Sequence, residues 1–201
     1  MAADGSRESN MIKADQLTEE EGKYLLSEAR KAIEKKIFDL AKKDEFDRPD
    51  STKLFERRGT FVTLTIEGGL RGCIGNIIPQ EPLLQSVKAN AINAAFHDPR
   101  FRPLSRKEWN KIKIEISILT DPKPLDYSDS MDLLEKLKPG QDGVIIKKGY
   151  HQATFLPQVW EQLPDKKDFL THLCLKAGLD GDQWEKEKFE ILTYQVQAFE
   201  E

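Results

Sequence analysis

The 201-residue sequence predicts an α+β fold, a largely antiparallel sheet built from two ββαβ-like units with flanking helices. Three observations carry this. Ile112, Ile114, Ile116 and Ile118 alternate with Lys113, Glu115 and Ser117, the period-2 pattern of a strand with one buried face. Residues 59–66 and 70–78, rich in β-branched and apolar side chains, flank the turn sequence Glu67-Gly68-Gly69 and read as a hairpin. The order strand, strand, helix, strand then recurs, and strands joined by hairpins pair antiparallel with helices laid against the sheet.

Taken in chain order, residues 1–13 are small, polar and aperiodic, the composition of a disordered leader, and a single domain is expected over 14–201. Leu17, Leu25, Leu26, Ala29, Ile33, Ile37 and Leu40 recur at three- and four-residue steps, and Thr18 with Glu21 forms a capping box. The spacing predicts a long amphipathic helix from near Thr18 to just before Asp47. After the hairpin, Leu84, Val87, Ala91, Ala94 and Ala95 trace one stripe of a short helix that stops at Asp98-Pro99. The second unit reads as strands over 143–148 and 152–156, helices over 157–163 and 166–177, and one final strand over 189–199.

Composition limits the function. Lys and Arg number 31 against 35 Asp and Glu, a net charge of −4, so no overall positive field exists to condense on nucleic acid. No apolar run approaches the ~18 residues of a membrane span, and no signal-peptide pattern opens the chain. With two cysteines allowing at most one bridge, a cytoplasmic location is expected. No P-loop and no G-x-G-x-x-G after a strand is present, so no nucleotide cofactor is expected. The three histidines show no ligand spacing, so no metal is expected either.

The stretch Leu70-Arg71-Gly72-Cys73-Ile74-Gly75 is the most unusual. On a strand, Arg71 and Cys73 share a face about 7 Å apart, where a cation favours thiolate. Gly72 and Gly75 leave the backbone open to close approach by a ligand or another segment. Cys73 is therefore read either as a nucleophile with Arg71 as anion clamp, or as a small packed side chain beside an arginine that caps a carboxylate. Glu115 is either solvated surface or a carboxylate facing Arg71. Asp98 and Arg100 either stabilise a local turn or line the site. His97 or His151 could serve as base only if the fold brings one to Cys73.

The hexapeptide LRGCIG resembles the signature of the AMMECR domain family. The likeness continues through Gly59-Thr60-Phe61-Val62, Asp98-Pro99-Arg100-Phe101, Pro103-Leu104, the Glu115 strand, Asp142-Gly143-Val144 and Leu156-Pro157-Gln158-Val159, in the same order as in archaeal and bacterial members. The resemblance implies two unequal lobes around a cleft, with the signature strand near it and no settled activity. Relatives often occur beside Memo-like and radical-SAM proteins, which implies those as pathway partners. Two readings follow: a docking or sensing surface for a partner protein or small ligand, or an enzyme component in which Cys73, Arg71 and Glu115 act on a small anionic ligand held by Gly72, Gly75, Asp98 and Arg100.

Overall fold

The structure is a computed structural model that describes residues 16–40 and 50–201. The leader expected over 1–13 lies outside the described residues. The chain divides into two compact units: one takes in the chain through Ile118 together with Gln197–Glu201, and the other is Leu119–Val196.

In the first unit, helix α1 (Glu19–Phe38) begins at the expected capping box, with Glu21 N–H donating to Thr18 Oγ1 at 3.2 Å and Thr18 N–H to Glu21 Oε2 at 2.6 Å. It ends earlier than its apolar period predicts. Asp39 turns into the left-handed conformation (φ 54°) and its N–H bonds the Lys35 carbonyl, a C-cap that aspartate tolerates and that closes the helix although Leu40 continues the stripe. Residues 41–49, where the predicted helix would have run on, lie outside the described residues.

Strands β1 (Thr60–Ile66) and β2 (Gly69–Asn76) form the expected hairpin, with Glu67 (φ 53°) and Gly68 (φ 79°) as its two-residue turn. Helix α2 (Leu83–Phe96) and strand β3 (Ile112–Leu119) follow. With β8 (Val196–Glu200) they make a four-stranded sheet ordered β2-β1-β3-β8, in which β1 runs antiparallel to both neighbours. One face, carrying Val62, Leu64, Ile114 and Ile116, is buried beneath Leu25, Ala29 and Ile33 of α1 and Val87, Ala91 and Ala94 of α2. Polar groups inside this core are paired: Asn90 Nδ2 donates to Thr60 Oγ1 at 2.9 Å, Thr60 and Ser86 hydroxyls share a bond at 2.8 Å, and Glu28 meets Lys88 at 2.6 Å.

The second unit contains β4 (Lys123–Pro124), helix α3 (Ser130–Lys136), β5 (Gly143–Lys148), β6 (His151–Phe155), α4 (Lys166–Lys176), the short α5 (Gln183–Lys186) and β7 (Glu190–Tyr194), with the sheet ordered β4-β7-β5-β6. Its core holds Val144, Ile146, Leu173 and a Trp160–Phe169 stack at 3.6 Å. Two expectations change here, and one element is new. The helix predicted over 157–163 is a 3-10 turn, Pro157–Glu161. Helix α3, capped by Asp129, lay in a stretch too short for a periodic signal. The single final strand is two, broken at Gln195, whose N–H donates to Thr120 Oγ1 at 2.9 Å and whose carbonyl accepts from Thr120 N–H. β7 then belongs to one sheet and β8 to the other, so the α+β class stands while the strands divide between two sheets. Among the described residues no helix is long and apolar enough to cross a membrane.

Candidate functional site around Cys73

The LRGCIG stretch lies on β2, the edge strand of the first sheet, and it is not a regular strand. Leu64 faces Gly72 while Thr65 faces Leu70, which leaves Arg71 as the extra residue of a β-bulge. A bulge re-aims its side chain. Arg71 Nε donates to Glu108 Oε1 at 2.8 Å, and Nη2 donates to Glu108 Oε2 at 3.3 Å and to the Arg102 carbonyl at 2.8 Å. The third nitrogen, Nη1, is buried and has no hydrogen-bond partner among the described residues. The carboxylate facing Arg71 is thus Glu108, not Glu115. Glu108 also accepts from the Ser105 N–H at 2.8 Å and hydroxyl at 2.7 Å, and these bonds, Arg71's first, hold its carboxyl down at about 2.

Because β2 is an edge, the peptide group of Cys73 has no strand on its outer side among the described residues. Side chains take that role. Asp98 Oδ2 accepts from Cys73 N–H at 2.8 Å, and Arg100 Nη2 donates to the Cys73 carbonyl at 3.2 Å. The two are themselves paired, Arg100 Nη2 reaching Asp98 Oδ2 at 2.7 Å and Nε reaching Oδ1 at 3.0 Å. Arg100 foremost, with the Cys73 and Arg100 N–H groups, holds the Asp98 carboxyl well below the usual carboxylate range against the opposing effect of its burial. Arg100 is raised in turn, first by its bonds to Asp98, against the opposing effect of burial. Arg100 is therefore the cation bonded to the Cys73 backbone, whereas Arg71 is committed to Glu108.

On the sheet face opposite the core, Cys73, Thr63 and Glu115 stand in one row across β2, β1 and β3. Thr63 Oγ1 donates to Cys73 Sγ at 3.2 Å, and Ser117 Oγ donates to Glu115 Oε1 at 3.3 Å. Glu115 lies two strand spacings, about 10 Å, from Cys73, with Thr63 between. The glycines serve packing: a Cβ on Gly72 would stand 2.1 Å from the Ala94 carbonyl oxygen of α2, and one on Gly75 2.4 Å from the Phe61 ring. His97 Nε2 lies 3.2 Å from Lys36 Nζ, and the partner on the Cys73 sulfur is Thr63; His151, in the second unit, has its Nδ1 2.9 Å from the Ala177 carbonyl. No group of three or more His, Cys, Asp or Glu side chains among the described residues could hold a metal ion.

Two members of this constellation escape sequence reasoning. Glu108 had a local signal, since Ser105-x-x-Glu108 repeats the capping-box spacing. Thr63 had none, because only strand register sets it against Cys73.

An antiparallel two-sheet α+β chain whose edge strand is clamped by an acid–arginine pair is the class of protein that this geometry defines. Comparison with known proteins gives the family: the AMMECR1 family model matches residues 26–199, and the chain belongs to that family. It is 42% identical over 191 residues to a Methanopyrus kandleri protein, covering 93% of this chain and 91% of that one. It is 43% identical over 177 residues to a Nanoarchaeum equitans protein, covering 86% and 96%. Among solved structures, an uncharacterized Pyrococcus horikoshii protein shares the fold with a TM-score of 0.81 at 34% identity, covering 92% of this chain and 93% of that one.

Proposed function

We propose that the chain is a cytoplasmic binding module whose β2 edge, around Cys73, docks a partner protein or small ligand without using the thiol as a nucleophile. The supporting observation is that the polar groups around Cys73 are occupied with one another. Asp98 is held by Arg100 and the Cys73 N–H, and the Thr63 hydroxyl donates to the sulfur instead of accepting a proton from it. A catalytic thiol needs a group that takes its proton. The Memo-like and radical-SAM proteins implied by the family resemblance are the first partners to test.

A second reading, Cys73 as nucleophile in an enzyme component, draws on the same bonds. The Thr63 hydroxyl donates to the sulfur and the Arg100 guanidinium is anchored on the Cys73 carbonyl, so a donor and a cation stand beside the thiol. Iodoacetamide kinetics separate the two. With Cys174→Ser removing the other thiol, the module reading expects Cys73 to alkylate no faster than an unstructured thiol at about pH 7, with Arg100→Ala changing little. Alkylation tens of times faster, lost in Arg100→Ala, favours the nucleophile instead.

A further inference from the structure

Arg71 Nη1 is the feature that the clamp and its neighbours leave unexplained. It is buried with no partner among the described residues, although the other two nitrogens of the same guanidinium make three bonds. Buried polar groups are almost always paired, so an unmet donor can still take an acceptor. The surroundings say what kind of acceptor suits it. The Phe101 ring lies between two guanidiniums, 5.9 Å from Arg71 Cζ and 5.5 Å from Arg100 Cζ. Arg102 beside it is exposed. Residues 98–108 carry Arg100, Arg102, Arg106 and Lys107 against only Asp98 and Glu108. Arg71 is paired with Glu108 and Arg100 with Asp98, so over residues 98–108 together with Arg71, the side chains of Arg102, Arg106 and Lys107 leave the charge positive.

We propose that this β2 edge binds a small ligand carrying an oxyanion group, with Arg71 Nη1 and the Arg100 and Arg102 guanidiniums as donors and the Phe101 ring as its apolar wall. Guanidinium donors are matched by carboxylate and phosphate oxygens, and an aromatic wall between them suits the carbon skeleton of such a ligand. Entry requires the guanidinium or the atoms around Nη1 to move, since that atom is buried. The inference rests on the binding-module reading and gives its ligand a chemical class.

The test is a titration of the isotope-labelled full chain at low salt, with inorganic phosphate in one series and succinate in the other, followed through the amide signals of Cys73, Arg100 and Phe101. Saturable shifts with either probe support the proposal, and the stronger probe tells a phosphate from a carboxylate ligand. Arg71→Lys keeps the charge but lacks Nη1 and should weaken binding about ten-fold, while Arg102→Ala, at an exposed site with little bearing on folding, should weaken it about three-fold. Lys186→Ala, on the second unit, should leave it unchanged. The absence of saturable shifts with both probes up to about 50 mM, or wild-type affinity in the Arg102→Ala chain and in a folded Arg71→Lys chain, overturns it. Those failures leave the binding-module reading in place, because that reading falls only to fast, Arg100-dependent alkylation of Cys73.

Discussion

The Asp98 carboxylate stands in for a missing strand at Cys73, accepting the outward N–H of the β2 edge at 2.8 Å. Exposed strand edges invite pairing with another chain, and a buried carboxylate joined to an arginine blocks one rung of that ladder. The same pair fixes the backbone that carries the thiol, so the geometry of the site and the protection of the edge are one structure.

Asp98→Asn should cost about 1–3 kcal/mol at neutral pH, since the side chain is 1% exposed and its charged bonds are lost. Asp98 and Glu108 both lie below their unfolded values. Their stabilisation is therefore complete above the unfolded carboxylate range near pH 4 and declines as pH falls through the folded values. Urea unfolding of the wild type and Asp98→Asn should show the gap between them narrowing from about pH 4 downward. A gap that stays constant to about pH 2 would show that Asp98 is not held ionised by its partners.

Gly72→Ala should destabilise by about 1–3 kcal/mol, because the new methyl meets the Ala94 carbonyl of α2 at 2.1 Å and neither backbone can yield without separating helix from sheet. Gly69→Ala, whose Cβ meets nothing closer than 3.4 Å, should be tolerated. Thermal melting of the two variants decides, and equal midpoints would remove the close-packing role of Gly72.

On β3, Ile116→Ala should cost about 2–5 kcal/mol, as the side chain is fully buried. Glu115→Gln, on the opposite and partly exposed face, should change stability by about 0.5 kcal/mol or less. Denaturant midpoints in the reverse order would contradict the strand's orientation.

Tyr194 is buried in the second unit, its hydroxyl donating to the Phe155 carbonyl at 3.1 Å and bonded to Thr154 Oγ1 at 2.9 Å. Burial pushes its phenol up to about 12. The folded state favours the neutral form, so this contribution is intact below the unfolded value of about 10 and is lost as pH rises toward 12. Tyr194→Phe should lower stability by about 1 kcal/mol at neutral pH and flatten the alkaline fall. An unchanged alkaline limb would place the responsible group elsewhere.

Features set by neighbours within a few residues were legible from the sequence alone. The Thr18–Glu21 capping box, the turn expected over Glu67-Gly68-Gly69 and the alternation from Ile112 to Ile118 each depend on local spacing, and each stands where the spacing puts it, the turn narrowed to Glu67-Gly68 because Gly69 opens β2. LRGCIG was equally visible as an unusual string and pointed to the right family. What the string does was decided at long range. A bulge turns Arg71 toward Glu108, thirty-seven positions away, and Asp98 reaches Cys73 across twenty-five. The Thr63 bond to the sulfur depends on strand register, and the break at Gln195 depends on a bond to Thr120 seventy-five positions earlier. Periodicity reports which face of an element is buried, but not what is packed or bonded against it. That choice belongs to the folded chain, because the energies that settle it come from groups that only the tertiary structure brings within hydrogen-bonding distance.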